Sequence, residues 1–234
     1  MLKYSVIIRV KNEAENLRRC LGCIQSQKDY SPKNCEVIVI DNKSTDSTRD
    51  VAEQFGAKVL TIDQFSYPKA MNMGLRAAGS PVGIFLSAHS YIKGDQFLVA
   101  CEQLFSEENV AGVWGPVYAS DQASVWERLF YGACNLLGFA GRVYKPKKAK
   151  LGHMGATNCA VRTSIALRNP FDERFGHGGE DYQWALWAIN NHYTIVRDPR
   201  LAIYHSHGLS LGRLIAQYRK WHYTIHKPGK FPKS

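Results

Sequence analysis

In this chain a carboxylate closes a run built for burial. Val37-Ile38-Val39-Ile40 is β-branched without alternation and stops at Asp41, which reads as a parallel strand covered on both faces. Open α/β sheets bind ligands in the crevice at the carboxyl ends of such strands, so Asp41 is a candidate binding group. It is equally a helix cap, because Asn42 to Thr48 is rich in Ser, Thr and Asp. A second pair of carboxylates, Glu180 and Asp181, follows Gly176-His177-Gly178-Gly179. That turn delivers both acids to the first turn of a helix, where the helix dipole favours negative charge. Neighbouring helical residues point about 100° apart, so only one of the two can face a given reactant. Cys20 and Cys23 are the only close cysteine pair among six, with no second pair at zinc-ribbon spacing. A metal or redox role for them is the minor reading, and a reducing compartment the natural one.

The elements that must position these groups are legible from periodicity. Tyr4 to Val10 reads as a first strand, Asn12 as the cap of a helix with Leu17, Leu21 and Ile24 on one face, and Glu36 to Asp41 as a second strand. A helix from Asp46 to Phe55, a strand from Lys58 to Ile62, a helix from Pro68 to Gly79 and a strand from Val82 to Ser87 follow. Strand alternating with helix predicts βαβ units and a parallel sheet. Past Val110 the pattern loosens. Strands are expected at Val110 to Val117, within Gly152 to Arg162, at Tyr193 to Val196 and at Leu201 to His205. Helices are expected at Ala123 to Leu137, Tyr182 to Asn191 and Leu211 to His222.

The 234 residues suit one large α/β domain, and 45% hydrophobic residues can fill its core. The start Met1-Leu2-Lys3-Tyr4 runs straight into a strand, so no signal peptide is expected. No apolar run approaches the ~18 residues of a membrane span, and Leu129 to Gly141 suits a core or interfacial helix. A net charge of +10 favours anionic partners: a nucleotide diphosphate, lipid headgroups or nucleic acid. The charge thickens at Arg142 to Lys150 and Arg213 to Lys233. Without a recognition helix, zinc finger or aromatic RNA-binding signature, nucleic acid is excluded. The glycine fingerprint of dinucleotide-binding units and the phosphate loop of nucleotide triphosphatases are both missing. A nucleotide site here must therefore rely on side chains at strand ends.

Four stretches in order resemble inverting family-2 glycosyltransferases of the GT-A fold. Ser5 to Glu13 is similar to the family's opening strand and Asn-Glu turn, and Val39 to Thr48 to its Val-Asp-Asp-Gly-Ser-x-Asp-x-Thr element. Phe85-Leu86-Ser87-Ala88-His89 stands where the family keeps a strand-end Asp-x-Asp. Gly178-Gly179-Glu180-Asp181 and Tyr204-His205-Ser206-His207 resemble its Glu-Asp element and late metal-binding histidine. Phe65 to Gly74 looks like rhamnosyltransferase-type members. The resemblance implies an α/β GT-A fold: a mostly parallel central sheet flanked by helices, with a smaller acceptor-side region. Residues 1–110 would form the nucleotide-sugar half and 111–234 the acceptor and catalytic half of the same domain.

It further implies transfer of a sugar, with inversion, from a nucleotide-diphosphate sugar to a hydroxyl on a glycan or lipid-linked glycan. Asp181 would be the catalytic base, with Glu180 beside it, since the attacking hydroxyl must lose a proton. Val10, Asn12, Glu13, Asp41, Ser44, Lys69, Asn72, Ser87 and Ala88 would line the donor. Gly179, Trp184 and Gln217 would lie toward the acceptor. A divalent cation, Mn²⁺ or Mg²⁺, would be held by His89 with His205 or His207. Because those two alternate along an extended segment, one of them, His205 first, is expected at the site. Replacement of the usual aspartates by Ser87 and His89 leaves three options: a metal ligand suited to imidazole, a protonated histidine on phosphate, or an inactive site. An inactive site would leave a degenerate nucleotide-sugar-binding protein. Gln217-Tyr218-Arg219-Lys220-Trp221 partly echoes the Gln-x-x-Arg-Trp element of processive synthases, although Lys220 replaces its arginine. The expected location is cytoplasmic, peripheral on an anionic membrane surface.

Overall fold

The structure, a computed structural model, describes residues 1–137, 141–176 and 178–226. His177, the tail of the apolar stretch at 138–140, and the basic residues Lys227, Lys230 and Lys233 lie outside the described residues. The first half runs β1 (Tyr4–Val10), α1 (Ala14–Gln25), β2 (Cys35–Asp41), α2 (Thr48–Gln54), β3 (Lys58–Thr61), α3 (Tyr67–Ala77) and β4 (Val82–Ser87). It continues with β5 (Tyr91–Ile92), α4 (Phe97–Phe105), β6 (Val110–Trp114), β7 (Val117–Tyr118) and α5 (Val125–Leu137). The chain ends with β8 (Asn158–Arg162), α6 (Thr163–Arg168), α7 (Glu180–Asn190), β9 (Thr194–Arg197), β10 (Ile203–Tyr204) and α8 (Leu211–His226).

Seven strands form the central sheet in the order β3-β2-β1-β4-β8-β6-β9, and only β8 runs against its neighbours. This is the expected α/β class with a mostly parallel sheet. Alternation along β1 divides the core into two layers. Val6, Ile8 and Val10 face a layer with Leu17, Leu21, Phe97 and Leu98, while Ile7 faces one with Met71, Leu75, Phe171 and Trp184. Each such side chain contributes about 1.5–3 kcal/mol on burial. The sheet runs through the division expected at residue 110, because β4 pairs with β8.

A three-stranded sheet, β5-β10-β7, sits beside the main one. The strand expected over Val110 to Val117 breaks at Gly115-Pro116, where a Cβ on Gly115 would meet the Leu201 carbonyl oxygen. Two-residue strands such as β5 carry too little pattern to read from sequence. All six cysteines are free. Cys20 is fully buried and Cys23 partly so, as residues of one helix three positions apart.

Candidate active site

The carboxyl ends of β1, β2 and β4 lie side by side, with Val10 opposite Asp41 and Arg9 opposite Ser87. Asp41 is completely buried. Its carboxylate accepts the Ser44 N–H at 3.1 Å and the Arg49 guanidinium at 3.2 Å. The Val10 carbonyl accepts the Asn42 N–H, the Asn12 N–H donates to Ser44 Oγ, and the Thr45 N–H donates to Asn12 Oδ1 across the two loops. Asn12 takes a left-handed φ of 52° to do so, a conformation asparagine tolerates. Asp41 is thus the staple of the β2–α2 loop, and the half-buried Glu13 ties in through its N–H, which donates to Thr48 Oγ1. Ala88 is buried and bonds through its N–H to the Arg9 carbonyl.

Arg9 ties this edge to the acids of α7. Its guanidinium donates to the Ala156 carbonyl at 2.8 Å and to Ser87 Oγ at 3.4 Å, and lies 5.0 Å from the centre of the Tyr67 ring. The Ala156 N–H in turn donates to Asp181 at 3.3 Å. Gly178 and Gly179 precede α7 at φ 132° and 98°, and a Cβ on Gly179 would come within 2.9 Å of Phe175. Only glycine meets both demands.

Glu180 is buried with one oxygen lacking a hydrogen-bond partner, whereas Asp181 remains half-exposed and faces Ala156. Burial raises the Glu180 carboxyl well above its ordinary value, and the neighbouring Asp181 charge adds to this. Burial also raises Asp181, against the backbone N–H groups of Tyr182 and Ala156 and the charge of Arg9. Sequence reasoning missed Arg9, although a lone cation inside the buried run Val6-Ile7-Ile8-Arg9-Val10 is a readable signal.

The three histidines meet. Ligand nitrogens of His89, His205 and His207 lie within 4.8 Å of one another, and the His205 and His207 Nε2 atoms are 3.2 Å apart. The expectation that only one of the latter pair could face the site is therefore corrected. Strict alternation holds in a strand, but β10 ends at Tyr204 and the chain turns past Ser206 to Gly208, which adopts φ 66°. Pairing of Tyr204 with Tyr91 brings His205 beside Ser90, whose hydroxyl lies 3.3 Å from Nδ1.

Glu13 binds His89 Nδ1 at 2.6 Å, leaving a buried, unpartnered Nε2. Burial works to raise Glu13, but the hydrogen bond and charge of His89 outweigh it, and the carboxyl sits below its usual range. Burial holds His205 well below the ordinary imidazole value and lowers His207 as well, with His89 adding to both. His207 is fixed by Glu127, which accepts its backbone N–H at 2.8 Å. Glu127 was also missed, yet Ser124-x-x-Glu127 is a readable capping box, and the two residues exchange the reciprocal bonds.

Two imidazoles whose charged form burial disfavours, His205 and His207, a carboxylate bonded to His89 Nδ1 and an orphaned ring nitrogen opposite it fit a divalent cation. Such a nitrogen-rich set suits a transition-metal ion better than Mg²⁺.

The other expected residues lie on α3, α7 and α8. The Asn72 amide bonds both backbone groups of Phe171 and reaches Glu173, tethering the segment ahead of α7. Trp184 is buried, stacked on Phe171 and bonded to the Asn169 carbonyl, so the acceptor role expected of it is corrected: it belongs to the core. Lys69 is half-buried in the first turn of α3, beside Tyr67, whose N–H holds the Gly176 carbonyl. Gln217 lies on α8, one turn before Trp221, which packs over Gly178.

Residues 5–175 match the model of glycosyl transferase family 2. The glycosyltransferase AglE of Haloferax volcanii is 40% identical over 89 residues, covering 35% of this chain and 29% of that protein. The O-antigen chain rhamnosyltransferase WbaN of Salmonella anatum is 25% identical over 186 residues, covering 74% of this chain and 56% of that one. The chain thus spans well under two thirds of these relatives. Among solved structures, the mannosyltransferase PcManGT of Pyrobaculum calidifontis, in complex with GDP-Man and Mn²⁺, superposes with a TM-score of 0.70. It is 18% identical, covering 98% of this chain and 66% of that one.

Proposed function

The chain belongs to glycosyl transferase family 2, and from that membership we propose that it transfers a sugar, with inversion, from a nucleotide-diphosphate sugar to a hydroxyl acceptor. The observation that carries this is the hydrogen-bonded path from Ser87 through Arg9 and Ala156 to Asp181. It joins the strand-end crevice to a half-exposed carboxylate of raised proton affinity. In this reading the loops stapled by Asp41, Asn12 and Ser44 hold the nucleoside, and Lys69 and Arg9 lie toward the diphosphate.

Asp181 Oδ takes the proton of the acceptor hydroxyl as its oxygen attacks the anomeric carbon from the face opposite the diphosphate. Glu180, buried and favouring its protonated form, leaves Asp181 as the charged acid of the pair. His89, His205 and His207 would hold the divalent cation, with Glu13 orienting His89. When bound, the cation supplies positive charge that offsets the charge growing on the leaving diphosphate. Mn²⁺, the cation present in the PcManGT complex, is the first to test. Similarity to WbaN supports a deoxyhexose such as rhamnose as the sugar and a glycan or lipid-linked glycan as the acceptor.

A screen of nucleotide sugars for binding and hydrolysis, with and without Mn²⁺, tests the reading. One donor is expected to bind and turn over, and Asp181→Asn to reduce transfer by about 10²–10⁴. Undiminished transfer would remove Asp181 from the base role. Donor binding without any turnover would favour the second reading, a degenerate nucleotide-sugar-binding protein, for which the replacement of strand-end aspartates by Ser87 and His89 speaks.

A further inference from the structure

Helix α5 is built inside out. Its two fully buried positions are polar: Glu127 is buried against His207, and Asn135 is buried and donates to the Val117 carbonyl, with Phe130 and Tyr131 half-buried between them. Its outward stripe is apolar. Val125, Trp126, Leu129 and Leu136 are 68%, 46%, 61% and 82% exposed, and Gly132 and Ala133 between them are exposed too. Positions 125, 126, 129, 132, 133 and 136 follow the spacing of one helical face over three turns. Burial in the fold does not account for that face.

Helix α8 packs beside α5, with Phe130 and Tyr218 ring centres 6.5 Å apart. It repeats the pattern with Leu211, Ile215 and Tyr218, one or two turns apart and all more than 40% exposed. Aromatic rings with a polar edge, such as Trp126 and Tyr218, suit the boundary between water and hydrocarbon.

Cations outnumber acids around this face, where the exposed acid Asp121, ahead of α5, is paired with Arg19. Arg128 and Arg142 line a groove of about 800 Å³ that Leu136 shares at the edge of the stripe, and Arg213 and Arg219 are exposed on α8. The only acid on α5 is the buried Glu127, and no Asp or Glu occurs from Arg200 to the end of the chain. Among the described residues no helix is long and apolar enough to cross a membrane. A large apolar face rimmed by cations is instead the pattern of a helix lying in the plane of an anionic bilayer surface. We propose that the exposed stripe of α5, continued by α8, docks this protein onto an anionic lipid surface. The inference stands independently of the transfer reaction.

Vesicle flotation tests it, using phosphatidylcholine alone and phosphatidylcholine mixed with phosphatidylglycerol. Wild-type protein is expected to float with the mixed vesicles and to be released by high salt. Leu129→Glu combined with Leu136→Glu, both at exposed sites, should weaken binding at least about tenfold. Arg213→Gln should weaken it about fivefold. Circular dichroism and unchanged thermal unfolding of each variant confirm that the fold is retained. Failure of the wild type to float, or flotation of the double variant equal to wild type, overturns the proposal. So does a wild-type dimer, seen without vesicles, that the double substitution makes monomeric while flotation stays absent. In that case a second copy of the chain covers the face.

Discussion

Asp181 and Arg9 work against one another on a single proton. Burial raises the Asp181 carboxyl, and the Arg9 guanidinium pulls it back. If Asp181 is the base of the proposed reaction, it must be ionised to accept the acceptor's proton, and transfer is expected to rise with pH through the Asp181 value and to fall in acid. Burial lowers His205 well below, and His207 below, the ordinary imidazole value; protons would therefore compete with a cation there at lower pH than for an ordinary imidazole. The expected pH–rate profile has an acid limb with its midpoint above the usual carboxylate range. Arg9→Met should move that midpoint further up, since it deletes a cation whose charge lowers Asp181. An unmoved midpoint in this variant would separate Arg9 from the base.

At the scale of elements, short tethers position the chemistry. Asn72 reaches from α3 to Phe171 and Glu173, ahead of the glycine turn that starts α7. Asn72→Ala strands the buried N–H and carbonyl of Phe171, a loss of about 2 kcal/mol or more measurable by urea unfolding. Donor affinity of the folded variant should stay within about twofold, given the tether's distance in role from the donor edge. A selective loss of donor affinity with unchanged stability would return Asn72 to the donor contacts read from the sequence. The capping box of Ser124 and Glu127 acts similarly, starting α5 and holding His207 through one carboxylate.

For the whole molecule, the seven-stranded sheet is the decisive unit. The strand β8 from the second half inserts between β4 and β6 and bonds to both. Removing it would expose the ladder of β4 and open both core layers at once. Thermal unfolding followed by calorimetry is expected to show one cooperative transition, with calorimetric and van't Hoff enthalpies equal. Two resolved transitions would mean that the donor and acceptor halves are separate folding units. Saturating Mn²⁺ should raise the transition temperature, and chelator should reverse the rise, because an ion that binds only the folded site stabilises it by mass action.

The family resemblance implied His89 and His205 as partners, whereas the sequence by its own patterns determined the α/β class, the strands β1, β2 and β4, and the glycine turn before Glu180 and Asp181. Each rests on local pattern: uninterrupted β-branched runs, caps and positive-φ glycines. Tertiary structure alone decided that His207 joins them, that Asp41 turns inward to Arg49, that Trp184 belongs to the core, and that α5 shows its apolar side to solvent. The meeting of the three histidines depends on contacts between residues far apart in the chain. The pairing of Tyr91 with Tyr204, more than a hundred residues apart, is made by strands two residues long. No periodicity can announce a strand that short, so the register that assembles the histidines is a property of the folded chain.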